Sequence, residues 1–88
     1  MFYFVYVLLN PDNKGLYIGF TTNIKQRYQD HISGKGGFTQ RYKNWKLIYF
    51  EGYKDKKDAL NREKFLKGGS GRKYINKQLK NFLGEGAL

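Results

Sequence analysis

The sequence predicts an α+β fold, a small three-stranded β-sheet flanked by helices in the order ββαβαα. Two runs rich in aromatic and β-branched residues flank a turn near the N-terminus and read as a hairpin. A third such run, residues 45–53, lies between segments with helical spacing and capping residues. With 88 residues, 40% hydrophobic and 18% aromatic, the chain can build one core and lacks the length for a second. Residues 1–84 are therefore read as a single domain and 85–88 as a short C-terminal tail.

The first strand spans residues 2–9, where an unbroken apolar run of Phe, Tyr, Val and Leu predicts burial on both faces. Asn10-Pro11-Asp12-Asn13-Lys14-Gly15 makes the turn, with Pro presetting φ and Gly expected to supply a positive φ. Residues 16–20 form the second strand. Thr21, Thr22 and Asn23 then offer helix N-caps, and Asn23 and Gln26 stand at capping-box spacing. This helix is expected to run to about His31, with Ile24, Tyr28 and Ile32 as its buried stripe.

Residues 33–46 combine Gly-containing stretches with basic side chains and read as an ordered, exposed loop. Residues 45–53 make the third strand. Asp55 caps a second helix whose Ala59, Leu60 and Leu66 face inward, and Gly68-Gly69 ends it, since left-handed geometry costs Gly least. Ser70 caps a third helix in which Ile75, Leu79, Phe82 and Leu83 recur at helical spacing until Gly84.

Composition narrows the function. There are 17 Lys and Arg against 7 Asp and Glu, a formal net charge of +10. A charge of that size opposes compaction by self-repulsion and favours a polyanionic partner. Nucleic acid comes first, because each neutralised phosphate releases counterions. The aromatic content excludes a disordered basic tail. The absence of cysteine excludes disulfides and thiolate zinc sites and suits a reducing cytoplasm. The N-terminal apolar run stops at Asn10-Pro11 and has no positive n-region, too short for a signal peptide or a membrane span. A cytoplasmic protein with no membrane partner is expected.

Few side chains here can do chemistry. The single histidine, His31, stands at i+4 from Arg27, so the two meet near the edge of the first helix. Taken alone, the pair reads as an exposed Arg and His. Glu63 sits beside Ala59, Leu60 and Leu66, where a carboxylate is costly unless paired or bound to metal; an ion pair with Lys67 at i+4 is the bland alternative. Tyr6 and Tyr17 occupy the two arms of the hairpin, where packing is the ordinary role of a tyrosine.

Their order along the chain is more specific than any of them singly. Val5-Tyr6-Val7, then Tyr17-Ile18-Gly19, Arg27-x-x-x-His31 and a later helical Glu63 resemble the GIY-YIG nuclease family. Ser33-Gly34-Lys35-Gly36, Leu47-Ile48-Tyr49-Phe50-Glu51 and the stretch from Ala59 through Gly68 agree further. Gly69-Ser70-Gly71-Arg72-Lys73 looks like the ending of small stand-alone bacterial members, which are similar to the nuclease domain of the nucleotide-excision-repair excinuclease. The second motif matches letter for letter, whereas the first keeps only its tyrosine. The resemblance spans nearly the whole chain.

That resemblance implies a metal-dependent DNA endonuclease linked to DNA repair or recombination, and the want of a recognition helix or zinc finger makes selectivity for structure rather than sequence the expectation. It makes Glu63 the one protein ligand of Mg²⁺ or Mn²⁺, with water and a phosphate oxygen completing the shell. Arg27 clamps the scissile phosphate. Tyr17 leads as activator of the attacking water and Tyr6 orients it or bonds the phosphate, although the two roles can be exchanged. His31 assists proton transfer or phosphate binding, and Asn76 matches an asparagine of some relatives. A nearby Arg27 and the positive field are expected to push a tyrosine pKa down.

Lys35, Arg41, Lys43 and Lys46 in the loop, with Arg72, Lys73, Lys77 and Lys80 on the third helix, read as phosphate contacts that position DNA without reading bases. RNA stays open as a substrate, as does a protein partner that supplies specificity. A monomer or weak dimer is expected. A non-catalytic nucleic-acid-binding module of the same fold is the alternative, and a basic structural protein would need neither Glu63 nor Arg27.

Overall fold

A computed structural model describes residues 1–33 and 44–84. The expected phosphate contacts Lys35, Arg41 and Lys43, most of the loop at 33–46, and the tail at 85–88 lie outside the described residues. The elements run β1 (Tyr3–Asn10), β2 (Gly15–Thr21), α1 (Ile24–Ile32), β3 (Lys46–Tyr53), α2 (Lys56–Lys67), α3 (Gly71–Gln78) and α4 (Lys80–Leu83). The strands form one antiparallel sheet in the order β2-β1-β3, so the expected α+β architecture holds.

Because β1 lies in the middle, helices can cover it from both sides, and its residues 5–10 are all buried. Val5, Val7 and Ile18 pack with Ala59, Leu66 and Ile75, which puts α2 and α3 on one face. Tyr6, Leu8 and Trp45 pack with Tyr17, Ile24, Tyr28 and Leu47, which puts α1 on the other. Burying each such aliphatic side chain contributes about 1.5–3 kcal/mol. The register of β3 slips opposite Val7 and Leu8, where Tyr49 and Leu47 are the partners. Ile48 is the extra residue of this bulge. It lets Leu47 face α1 while Ile48 and Tyr49 join the other core.

Several local expectations change. Lys14, not Gly15, takes the positive φ of the hairpin turn (61°), because the Gly15 N–H is held by the Asn13 side chain at 2.8 Å. Gly68 closes α2 in extended geometry (φ −77°, ψ −178°) rather than in the left-handed region. Ser70 precedes α3 without a side-chain capping bond. The expected third helix divides at Leu79 (φ −111°, ψ 29°) into α3 and α4. Leu60 and Phe82 lie on solvent-facing sides instead of the core. On α2 the core needs only Ala59 and Leu66, and short α4 turns Leu83 inward in place of Phe82.

Candidate active site

Tyr6 projects from the middle of β1 onto the α1 face. Its hydroxyl lies 2.9 Å from His31 Nε2 and accepts from Arg27 Nε at 3.4 Å. Helix α1 can deliver both partners because it starts almost directly after β2. The Thr21 hydroxyl accepts the Asn23 N–H at 3.0 Å, and Asn23 Oδ1 in turn accepts the Gln26 N–H at 3.0 Å. The Gln26 side chain does not reach back to complete a capping box; its amide donates to Asp30 Oδ1 at 3.0 Å.

The buried stripe of α1 is thereby rotated from the expected one. It runs Ile24, Tyr28, His31 at i, i+4 and i+7, with His31 only 3% exposed and Ile32 on the surface. The rings of the hairpin tyrosines account for the difference, because they make a socket for the imidazole. Tyr17 stands edge-on to His31 at 4.9 Å between centroids and packs near Tyr6 at 6.2 Å and Trp45 at 6.4 Å. Directly across the β1–β2 ladder from Tyr6 is Gly19, and a Cβ there would overlap the Tyr6 ring. The glycine of Tyr17-Ile18-Gly19 is thus the seat on which the other tyrosine lies.

The electrostatics of the trio follow from burial. Tyr6 is pushed up to about 12 by desolvation, which outweighs the opposing hydrogen bond and charge of Arg27. Arg27 does pull the Tyr6 pKa down as expected, but burial outweighs it, so Tyr6 stays a phenol at neutral pH. Burial, seconded by the Arg27 charge, pushes the His31 imidazole below its usual range, so it is neutral there. Arg27 keeps its charge and remains open to solvent. With Arg27 donating into the Tyr6 oxygen, the consistent arrangement has the Tyr6 O–H donating to His31 Nε2.

Glu63 stands apart from this trio, on α2, the helix packed against the other face. Its side chain is 18% exposed and one carboxylate oxygen meets Lys67 Nζ at 3.0 Å, the bland i,i+4 pair. Beside Tyr17 lies a groove of about 470 Å³, lined also by Leu66, Lys67, Gly68 and Arg72. Among the described residues there is no group of three or more His, Cys, Asp or Glu able to hold a metal. A half-buried carboxylate with an oxygen beyond its lysine nevertheless suits a hard divalent cation whose other ligands are water and substrate oxygens.

Of the other expected residues, Lys46, Arg72, Lys73, Lys77 and Lys80 are all exposed. Arg72 Nη1 donates to the Lys14 carbonyl at 3.2 Å, which ties the start of α3 to the hairpin turn. Asn76 is half-buried on α3, beside core residue Ile75. One cluster went unread in the sequence. Glu51 accepts from Tyr49 and Tyr53 at 2.6 Å each and from Arg62 Nε and Nη2 at 2.9 Å each. Arg62 also lies 4.3 Å from the centroid of Tyr74 and 5.1 Å from that of Phe65. The alternation Tyr49, Glu51, Tyr53 was the available signal: period two puts all three on the α2 side of β3.

The GIY-YIG catalytic domain matches residues 2–77. The chain is 42% identical over 83 residues to a UPF0213 protein from Pediococcus acidilactici, covering 91% of this chain and 82% of that one. It is 41% identical over 68 residues to a UPF0213 protein from Limosilactobacillus reuteri, covering 74% and 70%. The solution NMR structure of a UPF0213 protein from Bacillus halodurans superposes with a TM-score of 0.55 at 30% identity, covering 98% of this chain and 89% of that one. The matched domain takes in both hairpin tyrosines, the Arg27–His31 pair and Glu63, and by it the chain belongs to the GIY-YIG family, whose fold is that of a nuclease.

Proposed function

We propose that this protein is a divalent-metal-dependent DNA endonuclease, and the observation that carries the reading is the Arg27–Tyr6–His31 hydrogen-bond chain beside Tyr17. One exposed cation, one phenol held protonated and one neutral imidazole are what a phosphodiester needs from its host. Arg27 binds a non-bridging phosphate oxygen and stabilises the charge that builds there. Tyr6, with a pKa of about 12, acts as a donor and as the brace of Arg27, not as a base. The water-activating role then falls to Tyr17, which lines the open groove against neutral His31. In the reaction, water forms the new P–O bond, the bond to the departing oxygen breaks, and one proton passes from the water to the protein while the leaving oxygen gains one.

Glu63 would hold Mg²⁺ or Mn²⁺, which supplies neutralising charge for the departing oxygen. The lysines and arginines Lys46, Arg72, Lys73, Lys77 and Lys80, with Lys35, Arg41 and Lys43, would supply affinity through phosphates, favouring shape over sequence. Asn76 belongs to the same reading as an auxiliary polar group. No helix among the described residues is long and apolar enough to cross a membrane. A cytoplasmic DNA repair or recombination role, as a monomer or weak dimer with a protein partner for specificity, completes it.

The test is cleavage of labelled duplex, single-stranded, flap and branched DNA in Mg²⁺ or Mn²⁺ by wild type, Glu63→Ala and Arg27→Ala. Metal-dependent nicking that disappears in both variants, with DNA binding kept by Glu63→Ala, is expected. Wild type that binds every substrate and cuts none would replace the reading with a non-catalytic binding module.

A further inference from the structure

On the α1 face, the sheet extends past the helix that covers it. Tyr6, Leu8 and Tyr17 are roofed by α1, but toward the start of β1 the same face carries Phe2, Phe4, Phe50 and Gly52. Phe2 and Phe50 are 48% and 54% exposed, unusual for rings of this size. The three are one cluster, with Phe2–Phe4 centroids 6.3 Å apart and Phe4–Phe50 6.0 Å apart, edge to face. Gly52 lies beneath them, where an added Cβ would stand 3.3 Å from Phe4 and 3.5 Å from Phe2. Lys54 Nζ sits 5.0 Å over the Phe2 ring, a cation at the rim of the patch.

The ladder joins this patch to the candidate active site. Phe50 is the cross-strand partner of Tyr6 on β3, and Phe4 is the next residue on the Tyr6 side of β1, about 7 Å along the strand. The occupant must tolerate a +10 chain and want flat apolar surfaces. A second copy of this chain brings the same +10 and the same Lys54 to the contact, which opposes association. Single-stranded DNA meets both demands, since its phosphates answer the charge and its unstacked bases answer the rings.

We propose that Phe2, Phe4 and Phe50 form a base-stacking platform for unpaired DNA next to the scissile phosphate, with Lys54 on the adjoining backbone. This deepens the nuclease reading and rests on it for the position of the scissile bond. The substrate class it names is DNA with a single-stranded segment at the cut, such as a flap, a junction or a frayed end, instead of uninterrupted duplex.

The experiment compares binding of labelled oligothymidylate and of a blunt duplex of equal length, by anisotropy at one fixed salt concentration without divalent metal. Wild type, Phe2→Ser/Phe50→Ser and Phe50→Trp are measured. The double variant should lose about 10- to 100-fold on the single strand and little on the duplex, while Phe50→Trp keeps or tightens single-strand binding. An oligonucleotide carrying 2-aminopurine should be quenched on binding wild type and not the double variant. Equal losses on both DNAs, no loss on either, preference for oligouridylate, or a wild-type dimer that the double variant dissolves would each overturn the platform. Should the double variant fail to fold by circular dichroism, weakened single-strand binding by Phe50→Trp does the same. Metal-free binding is independent of cleavage, so a protein that never cuts DNA would sink the nuclease reading and leave this ratio standing.

Discussion

The Tyr6 hydroxyl lies 2.9 Å from His31 Nε2, and Arg27 Nε approaches the same oxygen at 3.4 Å. A buried phenol therefore couples the exposed cation of α1 to the buried imidazole of the same helix. The coupling sets direction as well as position, because a guanidinium can only donate and neutral His31 has one ring nitrogen to accept. Tyr6→Phe keeps the ring and removes the link. It should cost about 1–2 kcal/mol of stability, measured by urea unfolding, since a buried polar partner is lost while the packing stays. Cleavage should fall far more than DNA binding. If binding falls as steeply as cleavage, Tyr6 serves the ground state alone.

Stability should decline at both ends of the pH scale, for opposite reasons. Burial raises Tyr6 from 10.0 to about 12, and burial with the Glu51 hydrogen bond raises Tyr53 likewise to about 12. The folded state then holds protons that the unfolded chain releases. That contribution is whole below pH 10 and is lost as the pH climbs toward 12. His31 is the reverse, lowered from 6.5 by burial and by Arg27. Its contribution is whole above 6.5 and drains away below it as the unfolded chain takes up the proton. Denaturant midpoints across pH should show both falls, and His31→Gln should flatten the acidic one. An acidic limb unchanged in that variant would assign the loss to carboxylates.

Glu51 and Arg62 tie β3 to α2 through two bonds of 2.9 Å, with side chains 15% and 22% exposed. Burial by itself would raise the Glu51 carboxyl, but Arg62, Tyr49 and Tyr53 together outweigh it and hold the group below its usual range. Arg62→Ala strips the ion pair and the ring contacts with Tyr74 and Phe65 in one step. It should cost about 1.5–3 kcal/mol, a drop in melting temperature of roughly 6–24 °C for a domain of this size. Because Arg62 precedes Glu63, the proposed metal ligand, on α2, a second consequence is expected there. Arg62→Lys should keep the charge and lose the two-pronged grip, weakening metal dependence more than fold. Identical behaviour of the Lys variant and wild type in Mn²⁺ titrations of cleavage would confine Arg62 to a structural role.

What the sequence made legible divides along physical lines. The hairpin, the third strand and the first two helices follow from local periodicity and capping, and they are where the pattern puts them, whereas the expected third helix is split at Leu79. The i,i+4 spacing alone makes Arg27 and His31 neighbours, and they do share Tyr6. The burial of His31 was not legible, because it depends on Tyr6 and Tyr17 arriving from two strands to form its socket. Glu51 was missed for the same reason, its partners lying both on its own strand and on α2. Helix faces with few apolar residues, as in α2 and α4, make Leu60 and Phe82 look as inward as Leu66 and Leu83, and packing leaves only the latter two against the core. The position of Glu63 shows the limit most plainly. Its lysine partner and its helix were legible in the chain, while its distance from the tyrosines is a property of the sheet between them.

Gly19→Ala tests the seat beneath Tyr6. The Tyr6 ring rests on the Gly19 backbone from the opposite strand, and an added methyl would occupy the space of its ring edge and hydroxyl. The backbone on both strands is held by the ladder, so the ring is what must move. Overpacking of this kind costs about 1–3 kcal/mol. The ring cannot shift without breaking the hydroxyl contacts to His31 and Arg27, so cleavage should fall as in Tyr6→Phe, and combining the two changes should add little further loss. A smaller structural penalty is expected in the double variant than the sum of the two single ones, since removing the hydroxyl relieves part of the clash. Fully additive losses in both stability and cleavage would show that Gly19 acts apart from Tyr6, and the seat would have to be sought elsewhere on β2.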